Sequence, residues 1–466
     1  MSQSSPSIQE AAAPAPPPFK KIDLSLTGSI LRLTLPIAVA AQLENLVGLA
    51  DMYMVGSLGP AAISAVGVSR QIVMVISVVM MSVTAGTLAM VAQATGAGAR
   101  TDASAAAKQS FTLVSLLSVG ISLFGLAVSP TLLRALSVSP EVVALGAPYL
   151  RIFFAGIVLM TLNYAIITCL QGAGDTRTPL YISILINAAK IAASYLFIFG
   201  AWGLPRLGVA GAAVGTLVGR LCGVVAGLWA LYSGRFKVAL LPGTSYLPDP
   251  ALARRILRIG IPSALQGLFR NGSNLVFVKL VALTSASTAA VAAYSIGNQT
   301  ERVLHRTSLS FGTTATALVG QSLGAGRPDE AEQRGWTTLL ISVLTALVLG
   351  LPTILLAGRL MALFTDAPDV IRIGTVYLYA MVLAEPFMCA AITSAGSLRA
   401  AGDTLPALYY TLISQWLIRL PVAYLLAFPF GYDVNGLWAA LVVFSTLQSV
   451  LTARKFAQGE WKTMRI

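Results

Sequence analysis

The sequence predicts an all-α polytopic membrane protein: twelve transmembrane helices in two parallel six-helix repeats. Three observations carry that prediction. Of the 466 residues, 56% are hydrophobic and only 11% charged, with a mean hydropathy of +0.78, against roughly 25% charged in an ordinary soluble domain. Apolar runs of about 20 residues or more, long enough as helix to cross a ~30 Å hydrocarbon core, recur along most of the chain. Several short motifs also return at one fixed spacing.

The predicted spans are 28–57, 61–95, 105–129, 141–168, 178–201, 208–234, 252–283, 287–320, 335–361, 370–397, 404–428 and 435–456. Most exceed the minimum length, so tilt or protrusion is expected. They divide the chain into a cytoplasmic tail (1–24), an amino-terminal lobe (25–236), a linker (237–251), a carboxy-terminal lobe (252–456) and a second cytoplasmic tail (457–466). The first tail lacks the apolar core and small-residue cleavage site of a secretory signal. Its Pro, Ala and Ser content predicts disorder.

The net charge of +13 would suggest nucleic acid in a soluble domain. Here the basic residues sort into particular loops, so no nucleic-acid partner is expected. Lys20, Lys21, Arg100, Arg177, Arg235, Lys237, Arg327, Arg334, Arg399, Lys462 and Arg465 fall on one side. Arg134, Arg206 and the mixed segment near Arg359, Asp366 and Asp369 fall on the other. The positive-inside rule then places both termini in the cytoplasm of a plasma or inner membrane.

Cys169, Cys222 and Cys389 each sit in an apolar helical run, which predicts free thiols and no disulfide framework. A single histidine without clustered cysteines argues against a structural zinc site. There is no GxxxxGK[ST] phosphate loop and no catalytic cluster at a membrane surface. Neither enzyme, metal nor cofactor is expected.

The repeat is explicit. QATGAGARTDA begins at Gln93 and QSLGAGRPDEA at Gln321; QGAGDT and RAAGDT place Asp175 and Asp403; AAISAV and AAVAAY begin at Ala61 and Ala289; Gly208 answers Gly436. Each pair is 228 residues apart, and only Pro36 and Pro262 drift, to 226. Because six helices is an even number, both copies enter the membrane in the same direction. Such parallel repeats are common in secondary transporters, whose sites lie near the midplane.

At these residues the chain resembles the multidrug and toxic compound extrusion (MATE) family. The resemblance rests on LADMYMVG at Leu49 to Gly56, the paired GAG loops, QGAGDTRTP at Gln171 to Pro179 with its echo at Arg399 to Pro406, and LFIFG closing the fifth span. It covers nearly the whole chain after about residue 25 and is closest to the prokaryotic DNA-damage-inducible branch. It implies a V-shaped pair of lobes, alternating access, and export of organic, often cationic, small molecules by H⁺ or Na⁺ antiport. A monomer in the lipid bilayer is expected.

A charge at mid-bilayer costs at least about 2.5 to 3.5 kcal/mol, so each intramembrane charge is a functional candidate. Asp51 matches the family's ion-coupling aspartate. Glu44 lies seven residues earlier, on nearly the same helix face. The family's fifth-helix pattern of two asparagines and an aspartate reads Asn187, Lys190 and Ser194 here. Lys190 is therefore expected to pair with Asp51 or Glu44, as a proton-operated switch or as a fixed structural pair. A lysine there disfavours Na⁺, which needs oxygen ligands.

In the second lobe Arg270 stands eight residues after Pro262, where some branches carry a coupling glutamate, and Glu385 is its expected partner. Glu301, Arg302, His305 and Arg306 form either a relay or the wet cytoplasmic half of a long helix. Gln42, Asn45, Gln266, Asn274 and Arg302 are candidate cavity residues. Gly211, Gly215 and Gly219 read as a close-packing stripe. The rival function is a flippase for a lipid-linked or anionic amphiphile.

Overall fold

The computed structural model describes residues 22–136, 138–234, 237–464 and 466, and every regular element among them is helical. In the first half α1 is Thr27–Gly56, α2 Pro60–Gly96 and α3 Arg100–Ala135; α4 runs as Pro140–Ala155 and Ile157–Gly172, bent by 50°; α5 is Arg177–Phe199 and α6 Val209–Tyr232. In the second half α7 is Pro250–Ala282, α8 Ser287–Gly324, α9 Pro328–Leu355 with the short Ala357–Ala362 after it, and α10 Pro368–Ala400. The next helix, α11, runs Leu405–Leu412, a wide π-type stretch Ile413–Arg419, then Leu420–Ala427; α12 is Asp433–Gln458.

Each predicted span corresponds to one of these helices, with three breaks that hydropathy does not show. Gly156 bends α4, Leu356 ends α9 before its predicted limit, and Pro421 follows the wide turn of α11. A proline lacks the N–H that would close the preceding turn, which accounts for the widening. Eight unbroken helices among the described residues are long and apolar enough to span a membrane by themselves, nine with the bent pair. Of the rest, α7 and α8 are too polar along their length, and α11 is in short pieces.

The described parts of both tails are docked on the helices. Residues 1–21 lie outside the described residues, along with Lys20, Lys21, Arg235 and Arg465. The end of the first tail is pinned: Asp23 N–H donates to Thr337 Oγ1 at 3.1 Å, and Leu24–Leu26 forms a 3-10 turn. The carboxy-terminal segment also docks. Trp461 is fully buried and stacked on Phe456, while Lys462 pairs with Asp329 and with buried Glu332 at 2.8 and 2.6 Å.

The face carrying these segments, called near here, also carries the turn between α2 and α3 and its repeat between α8 and α9. At that face the lobes cross with approximate two-fold symmetry. Gly96 packs against the backbone of Gln321, and Gly324 against the backbone of Gln93, too close for a Cβ on either glycine. Gln93 Nε2 donates to Ala400 O at 2.8 Å, and Gln321 Nε2 to Gly172 O at 2.9 Å. The two donors, Gln93 and Gln321, are one repeat length apart, as are the two acceptors, Gly172 and Ala400.

Further contacts between the lobes continue inward. Ile30 packs with Phe311 and Ile341, Thr34 donates to Thr314 at 3.0 Å, and Gln42 Nε2 reaches Val303 O at 2.8 Å near the middle of α1 and α8. Among the described residues, the hydrogen bonds and ion pairs between lobes fall in this near half, up to mid-membrane. The lobes thus form a V closed at the near face.

Candidate functional site

The glycine stripe positions the first ion pair. Gly211, Gly215 and Gly219 bring α6 against the backbone of α5 at Phe197, Ser194 and Ile186. Ser194 is turned into this contact, fully buried against Gly215, and so does not face Asp51 as a common stripe with Lys190 suggests. The Cβ of Lys190 packs on Gly219, and its chain extends toward α1. There Lys190 Nζ lies 2.5 Å from Asp51 Oδ2, with the two side chains 16% and 14% exposed. Asp51 Oδ1 is buried and has no hydrogen-bond partner among the described residues. One oxygen thus holds the lysine and the other remains available as an acceptor.

Glu44, two turns nearer the closed face, does not meet Lys190. Its Oε1 accepts from Arg220 of α6 at 3.1 Å and its Oε2 from Arg306 of α8 at 3.3 Å. Each oxygen is thereby claimed by one lobe. Arg220 is fixed by stacking at 5.1 Å over Tyr164. Asn187 shares with these groups a cavity of about 250 Å³ between the lobes. Asn45 Nδ2 donates to Gln42 Oε1 at 3.1 Å on the same helix. Arg220, like Lys190, is a charge inside an apolar run, but its place directly after Gly219 reads first as packing.

The second lobe ties its charges inward. Glu301, Arg302, His305 and Arg306 lie at the middle of α8. Glu301 accepts from Tyr377, Arg270 Nη1 lies 3.0 Å from His305 Nε2, and Arg302 is exposed. Glu385 is therefore not the partner of Arg270: it is buried and accepts from Ser308 Oγ at 2.6 Å. The wide turn of α11 aims Arg419 at Asn274 Oδ1 (2.6 Å) and Gln415 Oε1 (3.0 Å), with its guanidinium 4.2 Å over Phe277. Phe277, Tyr294, Tyr377 and Trp438 form one aromatic cluster beside it. Gln266 Nε2 donates to Thr411 at 2.9 Å. Gln266 and Asn274 thus bind neighbouring helices of their own lobe.

The MatE family model matches residues 36–196 and 262–425, one stretch in each half of the chain. The chain belongs to the MatE family. This MATE transporter is 29% identical to the probable multidrug resistance protein NorM of Thermotoga maritima over 441 residues, 93% of this chain and 92% of that one. Its fold matches an outward-facing multidrug resistance MATE transporter of the MOP superfamily (TM-score 0.84, 22% identity, 92% of this chain and 96% of that one). It also matches a MOP superfamily transporter from Pyrococcus furiosus, described as having a binding pocket of reverse polarity that suggests a different function. The TM-score there is 0.82, with 21% identity over 92% of this chain and 94% of that one.

Proposed function

We propose that this MATE transporter is a multidrug-type exporter that works by alternating access, driven by inward H⁺, with Asp51 and Lys190 as the proton-operated switch. The observation that carries the reading is the 2.5 Å pair itself, formed beside an acceptor oxygen with no partner. A proton on Asp51 removes the charge that holds Lys190 and releases α1 from α5. Na⁺ is disfavoured because the ammonium occupies the position where the ion needs oxygens. The resistance proteins among the relatives support efflux as the direction. With both termini in the cytoplasm, the V closed at the near face is an outward-open state in which Asp51 is reached from outside. The transporter acts as a monomer.

Proteoliposomes given a proton gradient or a sodium gradient test the coupling. We expect substrate movement with the first and none with the second, and its loss in Asp51→Asn. Sodium-driven movement without proton dependence would overturn the reading. A flippase for a lipid-linked or anionic amphiphile is the second reading, favoured by the two arginines on one glutamate. It predicts translocation of such a lipid without any ion gradient.

A further inference from the structure

We propose that the cavity around Glu44 is an oxyanion site, and that the cargo seated there carries a carboxylate, sulfonate or phosphate group. The inference rests on the alternating-access transport proposed above and specifies its substrate class.

The charge count decides the sign. Five elements face the cavity, and the charged groups they present are Glu44 from α1, Arg220 from α6 and Arg306 from α8, with neutral Tyr164 on α4 and Asn187 on α5. Two guanidiniums against one carboxylate leave a net charge of one positive unit. Arg302, exposed one turn from Arg306 on α8, adds a further cation nearby. Such an excess disfavours a cation at this position and attracts an anion. The planar donors of arginine match an oxyanion geometrically.

Glu44 is itself the internal occupant of this site. Its contacts, 3.1 and 3.3 Å, are longer than the 2.7–2.9 Å of a tight charge-assisted pair. Its side chain is 40% exposed and that of Arg306 37% exposed, whereas Arg220 is 14% exposed and stacked on Tyr164. One arginine is thus anchored and the other, with the glutamate, can move. An incoming oxyanion takes the place of the Glu44 carboxylate and inherits a contact to each lobe. Ile37, Ile167 and Leu309 supply an apolar wall for the rest of an amphiphilic molecule.

The test uses purified full-length transporter and two dyes sharing a xanthene ring, anionic fluorescein and cationic rhodamine, with binding read by fluorescence anisotropy. Wild type binds fluorescein more tightly than rhodamine. Arg306→Gln and Arg220→Gln each weaken fluorescein by roughly 10-fold or more, the scale of a charge-assisted hydrogen bond, and leave rhodamine no weaker. Glu44→Gln, which removes the competing carboxylate, tightens fluorescein. Tighter binding of rhodamine by wild type would overturn the proposal whatever the variants do, as would unchanged fluorescein affinity in Arg306→Gln. Binding is read without transport, so a failure of proton-coupled export leaves this result standing, and the reverse also holds.

Discussion

Asp175 and Asp403 show how one substitution changes a repeated motif. Asp175 accepts from Thr178 N at 3.1 Å and from Thr178 Oγ1 at 2.6 Å. The position equivalent to Thr178 in the second copy is Pro406, which offers neither donor, and Asp403 Oδ2 is buried without a partner among the described residues. Burial pushes the Asp403 carboxyl above its ordinary value of 3.8, against the opposing charge of Lys455. A raised carboxyl costs the folded state as pH climbs from 3.8 through the folded value, and that cost persists above it. Asp403→Asn is therefore expected to melt higher than wild type at pH 7, with the gap closing as pH falls toward 4; a lower melting temperature at pH 7 would contradict this. The Asp51–Lys190 pair makes the opposite prediction. Lys190→Ala leaves a buried carboxylate uncompensated and is expected to cost about 3 kcal/mol, while Asp51→Asn combined with Lys190→Gln recovers most of it in a thermal-shift cycle. Lys190 was legible in the sequence because a charge interrupts an apolar run. The partners of Arg270 and Glu385 were not, because residues on different helices carry no common register in the sequence.

The helices were legible in number and order, since hydropathy reports length and polarity directly. Their breaks were not. Gly156 lies in a continuous apolar run, and the widened turn of α11 depends on where Pro421 falls relative to the bonds before it. That turn matters, because it carries Arg419 onto Asn274 and the Phe277 ring. The glycines of the GAG turns were visible as a repeat, but their role as the crossing point of α2 and α8 emerges only once the lobes are placed. Gly96→Val or Gly324→Val forces side chain against backbone at that crossing, a strain of about 1–3 kcal/mol. We expect either change to disfavour the closed near face by roughly 10-fold, seen as longer distances between spin labels on α2 and α8 at that face. Unchanged distances would show that the crossing does not hold the lobes together.

Across the whole molecule the duplication extends to contacts: Gln93 to Ala400 and Gln321 to Gly172 are the same bond made twice. The charges break that symmetry. The first lobe holds its ion pair at the wall of the V and shares Glu44 across the seam, whereas the second locks its arginine into aromatic packing. A symmetric scaffold thus carries one asymmetric switch. The switch is tested most directly in liposomes that enclose a pH-sensitive dye, by adding substrate to wild type, Asp51→Asn and Lys190→Ala. Substrate-induced proton movement is expected in wild type, and its loss in both variants. Full proton movement in Asp51→Asn, or none in a wild type that still moves substrate, would contradict it.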